Sequence, residues 1–190
     1  YKRQPEGTAN FVSYVNNAKS AGAGVIFCPV SINYAQLIVE AAAAQGFEGS
    51  LLGSDTLDSN MVVEAAKGTN TKLYVTTFYQ EGGSPKFDDG IKAWLNEDST
   101  AMTNNGGNDT IAAVTAMGYD AYYVALEALK AAGSTDKAAV KAALPDVTYT
   151  GVSGSIAFDE QGDAIRDTAY IKTADTANNA WTLETVQTVE

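Results

Sequence analysis

The feature that most constrains the fold is a strand–helix–strand pattern in the first third of the chain. Two short apolar runs, residues 25–28 and 51–53, each lead into a polar loop, and an amphipathic segment lies between them. Two parallel strands joined by a helix carry their loops at the same edge of the sheet, where open α/β sheets bind ligands. We therefore expect residues 31–33 and 54–58 to face one crevice, with the Asp55 carboxylate inside it.

The alternation of helix and strand continues to about residue 95. Residues 73–78 are β-branched and aromatic, which predicts a third strand. Four predicted helices show apolar residues every three or four positions, namely Phe11, Val12, Val15 and Ala18; Tyr34, Leu37, Ile38, Ala41 and Ala42; Met61, Val62, Ala65 and Ala66; and Phe87, Ile91, Trp94 and Leu95. This order predicts an α/β fold with a parallel sheet covered by helices on both faces.

The second half of the chain does not continue the regular alternation of helix and strand. Residues 96–109 are polar and rich in Gly and Asn, which predicts a loop or a crossing segment. A long helix is expected next, with Val114, Tyr122, Leu126 and Leu129 on one side, and a further helix should end just before Pro145. Beyond it we predict a hairpin of strands 155–158 and 168–173 around the acidic turn 159–163, and a last strand over 181–189.

Composition narrows the possible chemistry. The 190 residues include no histidine and one cysteine, Cys28, and the net charge is −11. Histidine is the commonest general base and metal ligand, so triads that use it are excluded within this chain, and a zinc site is disfavoured. The acidic balance and the lack of a basic run argue against nucleic acid as a partner. These observations predict neither a catalytic residue, nor a cofactor, nor a metal.

Several motifs, taken together and in this order, resemble one family. The chain is similar to the carboxyl-terminal portion of bacterial ABC-transporter substrate-binding proteins of the branched-chain amino acid (leucine/isoleucine/valine) type, which have the type I periplasmic-binding fold. The resemblance rests on Ala23-Gly24-Val25-Ile26-Phe27-Cys28-Pro29, Leu52-Gly53-Ser54-Asp55, Tyr74-Val75-Thr76-Thr77-Phe78, Met117-Gly118-Tyr119-Asp120-Ala121-Tyr122, Ala131-Ala132-Gly133-Ser134-Thr135-Asp136 and Gly151-Val152-Ser153-Gly154-Ser155-Ile156-Ala157-Phe158-Asp159-Glu160.

The resemblance implies how the chain is organised. Residues 1–108 would form the Rossmann-like core of lobe 2, residues 109–163 a returning part of lobe 1 with two helices and a hairpin, and residues 164–190 the closing strands of lobe 2. Lobes of this fold close on a ligand by a hinge motion. The chain would be a fragment that holds about half of the ligand site. The rest of lobe 1 and a signal sequence would lie outside it.

The resemblance also implies a function and a setting. It implies a non-enzymatic component of an ABC importer that captures an amino acid, branched-chain or otherwise aliphatic, and delivers it to permease subunits in the membrane. The location would be extracytoplasmic, in the periplasm or at the cell surface as a lipoprotein. We also expect self-association of the fragment, since helices that have lost their sheet expose apolar surface. A ligand-sensing domain of a receptor or regulator and an enzyme that uses acids such as Asp55 and Asp58 are the alternatives.

Six residues are candidates for ligand contact. Asp55 stands where similar proteins have an acid that accepts the ligand's α-ammonium group, although it could instead begin a turn before a helix. The loop after the first strand offers Ser31 and Ile32 where relatives often have aromatic residues, so a different side chain could be accepted there. The other three candidates, each of which could instead belong to the packed core, are Thr56, Leu57 and Phe78.

Overall fold

The predicted strand–helix–strand unit is present in the computed structural model, which describes residues 10–188. The first strand and the next one are parallel and are joined by a helix, as expected. The elements of the first half, in chain order, are α1 (Val12–Ser20), β1 (Val25–Cys28), α2 (Ile32–Ala44), β2 (Ser50–Gly53), a 3₁₀ turn (Asp55–Leu57), α3 (Asn60–Ala66), β3 (Lys72–Thr77) and α4 (Pro85–Glu97).

The second half contains helices followed by strands, of which the first three are short and the last two have eight and nine residues. Its elements are α5 (Ser99–Asn104), α6 (Ala113–Ala132), α7 (Lys137–Ala143), a second 3₁₀ turn (Leu144–Asp146), β4 (Tyr149–Gly151), β5 (Gly154–Phe158), β6 (Ala164–Ile165), β7 (Thr168–Asp175) and β8 (Ala180–Thr188). Residue 189, which we assigned to the last strand, lies outside the described residues.

Two sheets organise these strands. The larger has the order β1-β2-β3-β7-β8, with β1, β2 and β3 parallel, and the smaller has the order β4-β5-β6, with antiparallel neighbours. The prediction of an α/β fold with a mainly parallel sheet is thus confirmed.

Two predictions for the second half are wrong in detail. The segment 96–109 contains the helix α5, because the Asp98 carboxylate caps it by accepting the amides of Thr100 and Ala101. The partner of β5 in its hairpin is β6, which directly follows the acidic turn, whereas β7 joins the larger sheet. In that turn the Asp159 carboxylate accepts the amides of Gln161 and Asp163, which makes it tight enough for a short hairpin.

The chain divides into two units, and each is described by itself. One takes in residues up to Thr77 together with Ile171–Thr185, and the other takes in Phe78–Tyr170 together with residues from Val186 onward. Our sequence-based boundaries differ from these. The first, at residue 108, is later than the change of unit after Thr77, and the second, at residue 163, is earlier than the change after Tyr170. The assignment of the segments to lobes stays a prediction.

The core of the first unit lies on one face of its sheet. Ile26 and Cys28 of β1 align with Leu51 and Gly53 of β2 on that face, and helices α1, α2 and α3 supply most of the other buried side chains. On the opposite face Val25 and Phe27 are 54% and 60% exposed. The expectation of helices on both faces is therefore wrong at β1.

The second unit has two smaller apolar clusters. Tyr79 and Phe87 pack with the start of α6, and further along α6 Val124 and Ala128 pack with the hairpin and the second 3₁₀ turn. The members of these two clusters are Tyr79, Phe87, Ile111, Ala113 and Ala116, and Val124, Ala128, Val147 and Ile156.

Some helices bury a different stripe from the one we predicted. On α6 the buried positions are spaced by three or four residues, and most of them carry small side chains: Ala113, Ala116, Asp120, Val124 and Ala128. Val114 and Tyr122 are 55% and 62% exposed instead. Met61 of α3 and Trp94 of α4 also face outward, while Val63 of α3 is buried. Small side chains let a helix approach its neighbour closely, and the buried alanines of α6 are consistent with such close packing.

Candidate functional site

A pocket opens at the carboxyl ends of β1 and β2, the edge where we expected a crevice. Its volume is about 530 Å³, and it is widely open to solvent. It is lined by Pro29, Val30, Ser31, Ile32, Asn33, Ser54 and Thr56. All of these residues belong to the first unit.

The wall after β1 is a tight bend that runs directly into α2. The Val30 amide donates to the carbonyl of Cys28 at 2.9 Å, which turns the chain sharply at the end of the strand. Ser31 then takes an extended conformation as the N-cap, and its carbonyl accepts the amides of Tyr34 and Ala35. Because α2 begins here, the positive end of its dipole lies at the pocket.

The wall after β2 is the 3₁₀ turn, which a side chain ties to the wall after β1. The Thr56 hydroxyl donates to the backbone carbonyl of Val30 at 2.9 Å, and it lies 2.9 Å from the hydroxyl of Ser54. The Leu57 amide donates to the carbonyl of Ser54 and closes the turn. The two walls are therefore joined by one side-chain hydrogen bond.

Below the pocket the turn is fixed to the core. Leu57 is 1% exposed and packs against Gly53, where an added Cβ would lie 2.6 Å from its Cδ2 atom. A glycine at position 53 is thus needed for the turn to reach this close to the strand. Leu57 belongs to the apolar cluster of the first unit and is not among the lining residues.

A buried ion pair follows the turn. Asp58 and Lys172 are 6% and 4% exposed, and the Lys172 Nζ atom lies 2.9 Å from Asp58 Oδ2. The hydroxyl of Thr77, at the end of β3, donates to the same oxygen at 3.0 Å. Sequence reasoning considered Asp58 as a helix cap, as the end of the loop that faces the crevice, and as an acid of the enzyme alternative, but not as a member of a buried ion pair. Ser59 is the N-cap of α3 instead, and it accepts the amide of Met61.

The six predicted contact residues fall into three groups. Ser31, Ile32 and Thr56 line the pocket together. Asp55 and Leu57 belong to the 3₁₀ turn but are not among the lining residues. Phe78 begins the second unit, where the Arg166 guanidinium stands 5.0 Å from its ring centroid. A ligand contact for any of these residues stays a prediction.

The second unit contains two buried acids that organise its loops. Asp120 is 0% exposed, and it accepts the amides of Val152 and Ser153 at 2.8 and 2.7 Å as well as the Ser153 hydroxyl. Asp88 accepts the Tyr79 hydroxyl at 2.6 Å and the Gly82 amide at 2.7 Å. Burial and the Asp88 carboxylate raise the pKa of Tyr79 well above its ordinary value, so it remains a neutral donor.

The described residues contain neither a metal-binding cluster nor a helix suited to cross a membrane. Residues 10–188 contain no group of three His, Cys, Asp or Glu side chains placed to hold a metal ion. Within the same part of the chain, no helix combines the length and the apolarity that crossing a membrane requires.

Comparison with known proteins defines the family. A family model described as periplasmic binding protein matches residues 2–179, so the chain belongs to that family. A search of curated proteins found no match.

Solved structures agree with this assignment. The leucine-binding protein LivK of Thermotoga maritima is 26% identical, with a TM-score of 0.76 over 97% of this chain and 50% of its own. The isoleucine complex of the branched-chain amino acid transporter substrate-binding protein LivJ from Streptococcus pneumoniae is 21% identical, with a TM-score of 0.67 over 98% of this chain and 50% of its own.

A benzoate complex of an ABC-transporter solute-binding protein from R. palustris has the same fold. It is 14% identical, with a TM-score of 0.72 over 98% of this chain and 49% of its own. The chain thus spans about half the length of the solved structures it matches. These relatives are described as binding proteins rather than as enzymes.

Proposed function

We propose that this chain is part of the solute-binding component of an ABC importer, and that its pocket holds a portion of an amino acid. The observation that carries the proposal is the open pocket at the carboxyl ends of β1 and β2, in a chain of the periplasmic binding protein family. Open α/β sheets bind ligands at this edge.

The chemistry of the two walls suits a zwitterion. The amino terminus of α2, at Ser31 and Ile32, favours an anionic group, while Asp55 in the opposite wall supplies a carboxylate for an ammonium group. The Thr56 hydroxyl and the Ile32 side chain add one polar and one apolar contact. An aliphatic amino acid is the ligand that best matches this set.

The proposed role extends to transport. The ligand is captured between two lobes, the lobes close, and the complex docks on permease subunits in the membrane. This setting is extracytoplasmic, in the periplasm or at the cell surface on a lipid anchor. The half-length match to the relatives supports a site that a second lobe completes.

The exposed face of β1 supports self-association of this chain. Val25 and Phe27 stand two residues apart on the edge strand and are both more than half exposed. Exposed apolar side chains grouped on one face mark sites where proteins associate. We take a second copy as the partner.

The function is tested by calorimetric titration with a panel that includes L-leucine, L-isoleucine, L-valine and benzoate. Binding of an aliphatic amino acid, weakened in Asp55→Ala, supports the proposal. Binding of benzoate alone would replace the amino acid with an aromatic carboxylate. The absence of heat with every member, in this chain and in a longer protein that contains both lobes, would overturn the proposal.

A further inference from the structure

We propose that the buried pair of Asp58 and Lys172 positions the ligand-facing turn of residues 54–58, and is not there chiefly to stabilise the fold. This inference rests on the proposed function, because it names the residues that shape the same pocket. Neither residue lines the pocket, so both act through Thr56 and Asp55.

The backbone bends sharply at Asp58. Asp58 has φ −71° and ψ 69°, and the amide of Ser59 donates to the carbonyl of Leu57 at 2.7 Å across it. A three-residue bend of this kind is common where a strand ends or a loop begins. The contacts of the Asp58 carboxylate include Lys172 on β7 and Thr77 on β3, and these two contacts tie the bend to two strands of the sheet.

The anchoring continues on both sides of the bend. On one side, the Asp58 amide donates to the carbonyl of Asp55 at 3.0 Å, and the Thr56 hydroxyl reaches Val30. On the other side, the Trp181 Nε1 atom donates to the carbonyl of Ser59 at 3.2 Å. The carboxylate thus lies two residues from the hydroxyl that bridges the pocket walls, and its release would let that wall move.

The energetic cost of burying the charges of Asp58 and Lys172 favours a role in positioning the turn over a role in stabilising the fold. Two charges at 6% and 4% exposure have lost most of their hydration, and their mutual attraction offsets this cost only in part. Apolar replacements of such pairs are often neutral or stabilising, whereas removal of one partner is strongly destabilising. In some proteins such a pair is retained because it specifies one conformation, and the element that this pair contacts is the pocket wall.

The test replaces both charges in the full chain. In Asp58→Leu/Lys172→Met we expect the thermal midpoint to stay within a few degrees of wild type, because the gain from removing two buried charges offsets the loss of an acceptor for the buried Thr77 hydroxyl. We expect the amides of Leu57 and Ser59 to exchange with solvent about tenfold faster, since the turn opens more often. The Kd for L-leucine should weaken about tenfold, because the contacting wall is no longer pre-organised.

A milder variant covers the case in which the double variant fails to fold. Thr77→Val removes one donor to Asp58, keeps the shape of the side chain, and leaves Lys172 in place. We expect the same two amides to exchange about threefold faster. Thr173→Val is the matched control, since the Thr173 hydroxyl donates to the carbonyl of Leu73 in the same sheet, away from the turn.

The outcomes separate the two proposals. Unchanged amide exchange and unchanged leucine affinity in the folded variants would overturn the positioning role and leave the proposed function intact. If wild-type protein binds no leucine, the proposed function fails for that ligand, while the exchange rates still decide whether the pair holds the turn. Faster exchange in Thr77→Val but not in Thr173→Val supports positioning in either case.

Discussion

The Thr56 hydroxyl donates to the backbone carbonyl of Val30 at 2.9 Å, and this bond spans the pocket between the ends of two neighbouring strands. Val30 is 26 residues earlier in the chain, so the bond adds a side-chain link between two loops that already leave neighbouring strands at Cys28 and Gly53. It joins the wall that begins α2 to the wall that carries Asp55, and changes at Thr56 should therefore affect binding more than folding.

Thr56→Val should lower ligand affinity with a small effect on stability. The change keeps the shape and removes a hydroxyl worth about 1 kcal/mol, or roughly fivefold in Kd. Titration with L-leucine and thermal unfolding measure the two effects. The control is Thr182→Val, which removes a similar bond from a threonine hydroxyl to the carbonyl of Thr173. Equal effects of both variants on leucine affinity would contradict the role of Thr56.

Asp55→Asn should weaken the binding of leucine but not of 4-methylpentanoate, which has no ammonium group. The loss of a charge-assisted hydrogen bond costs about 2 kcal/mol, or roughly thirtyfold in Kd. Both ligands are titrated into wild type and variant. The exposed Asp89 provides a control for net charge as Asp89→Asn. A parallel loss for both ligands would show that Asp55 shapes the turn rather than binding the ammonium group.

Asp120→Asn should destabilise the second unit by about 3 kcal/mol. The buried Asp120 carboxylate accepts hydrogen bonds from three donors. In asparagine an NH₂ group replaces one carboxylate oxygen, and this group would face donors instead of accepting from them. Urea unfolding, monitored by far-UV circular dichroism, measures the change in the free energy of unfolding. Asp146→Asn, at an exposed acid of the same unit, should change stability by less than about 0.5 kcal/mol. A loss equal to that control would contradict the structural role of Asp120.

Stability should fall at alkaline pH through Cys28. Burial raises the pKa of its thiol from the usual 9.0 to about 12. The folded state favours the neutral thiol, so this contribution is complete below pH 9 and is lost as the pH rises toward 12. Urea unfolding at about pH 8 and pH 11 measures the free energy of unfolding at each pH. This free energy should fall with pH less steeply in Cys28→Ala than in wild type, by up to about 1.4 kcal/mol per pH unit. Tyr79→Phe controls for the phenol, whose pKa is also raised.

Phe27→Lys should reduce self-association of the chain. A charge on the exposed face of the edge strand opposes pairing between copies. Sedimentation velocity over a concentration series should show dimers of the wild type that the variant lacks. Trp94→Lys is the control, because Trp94 is 54% exposed on α4 in the other unit. A wild type that stays monomeric at the highest concentration would refute the prediction.

Sequence reasoning located the pocket but not its supports. The strand–helix–strand pattern placed Ser31 and Thr56 at one edge of a parallel sheet, because that edge follows from connectivity alone. The pair Asp58–Lys172 spans 114 residues, and no local pattern connects positions so far apart. Lys172 could be identified as the partner of Asp58 only once β7 had been placed beside β3.

The helix faces show a second limit. Apolar periodicity marks a stripe, yet α6 has two candidate stripes, and the structure buries the one that contains Ala116 and Asp120. An aspartate inside a helix gives no sign by itself that its partners are the amides of a hairpin 32 residues later. Buried polar groups are therefore the part of this fold that periodicity does not predict.

The burial of Cys28 has a practical consequence for spectroscopy. The chain has one cysteine, and at 4% exposure it offers almost no surface to a maleimide. Cysteines introduced on the surface would thus take up dyes or spin labels selectively, without removal of the native thiol. One label in each of the two units would report their separation with and without leucine, and would measure directly whether ligand brings them together.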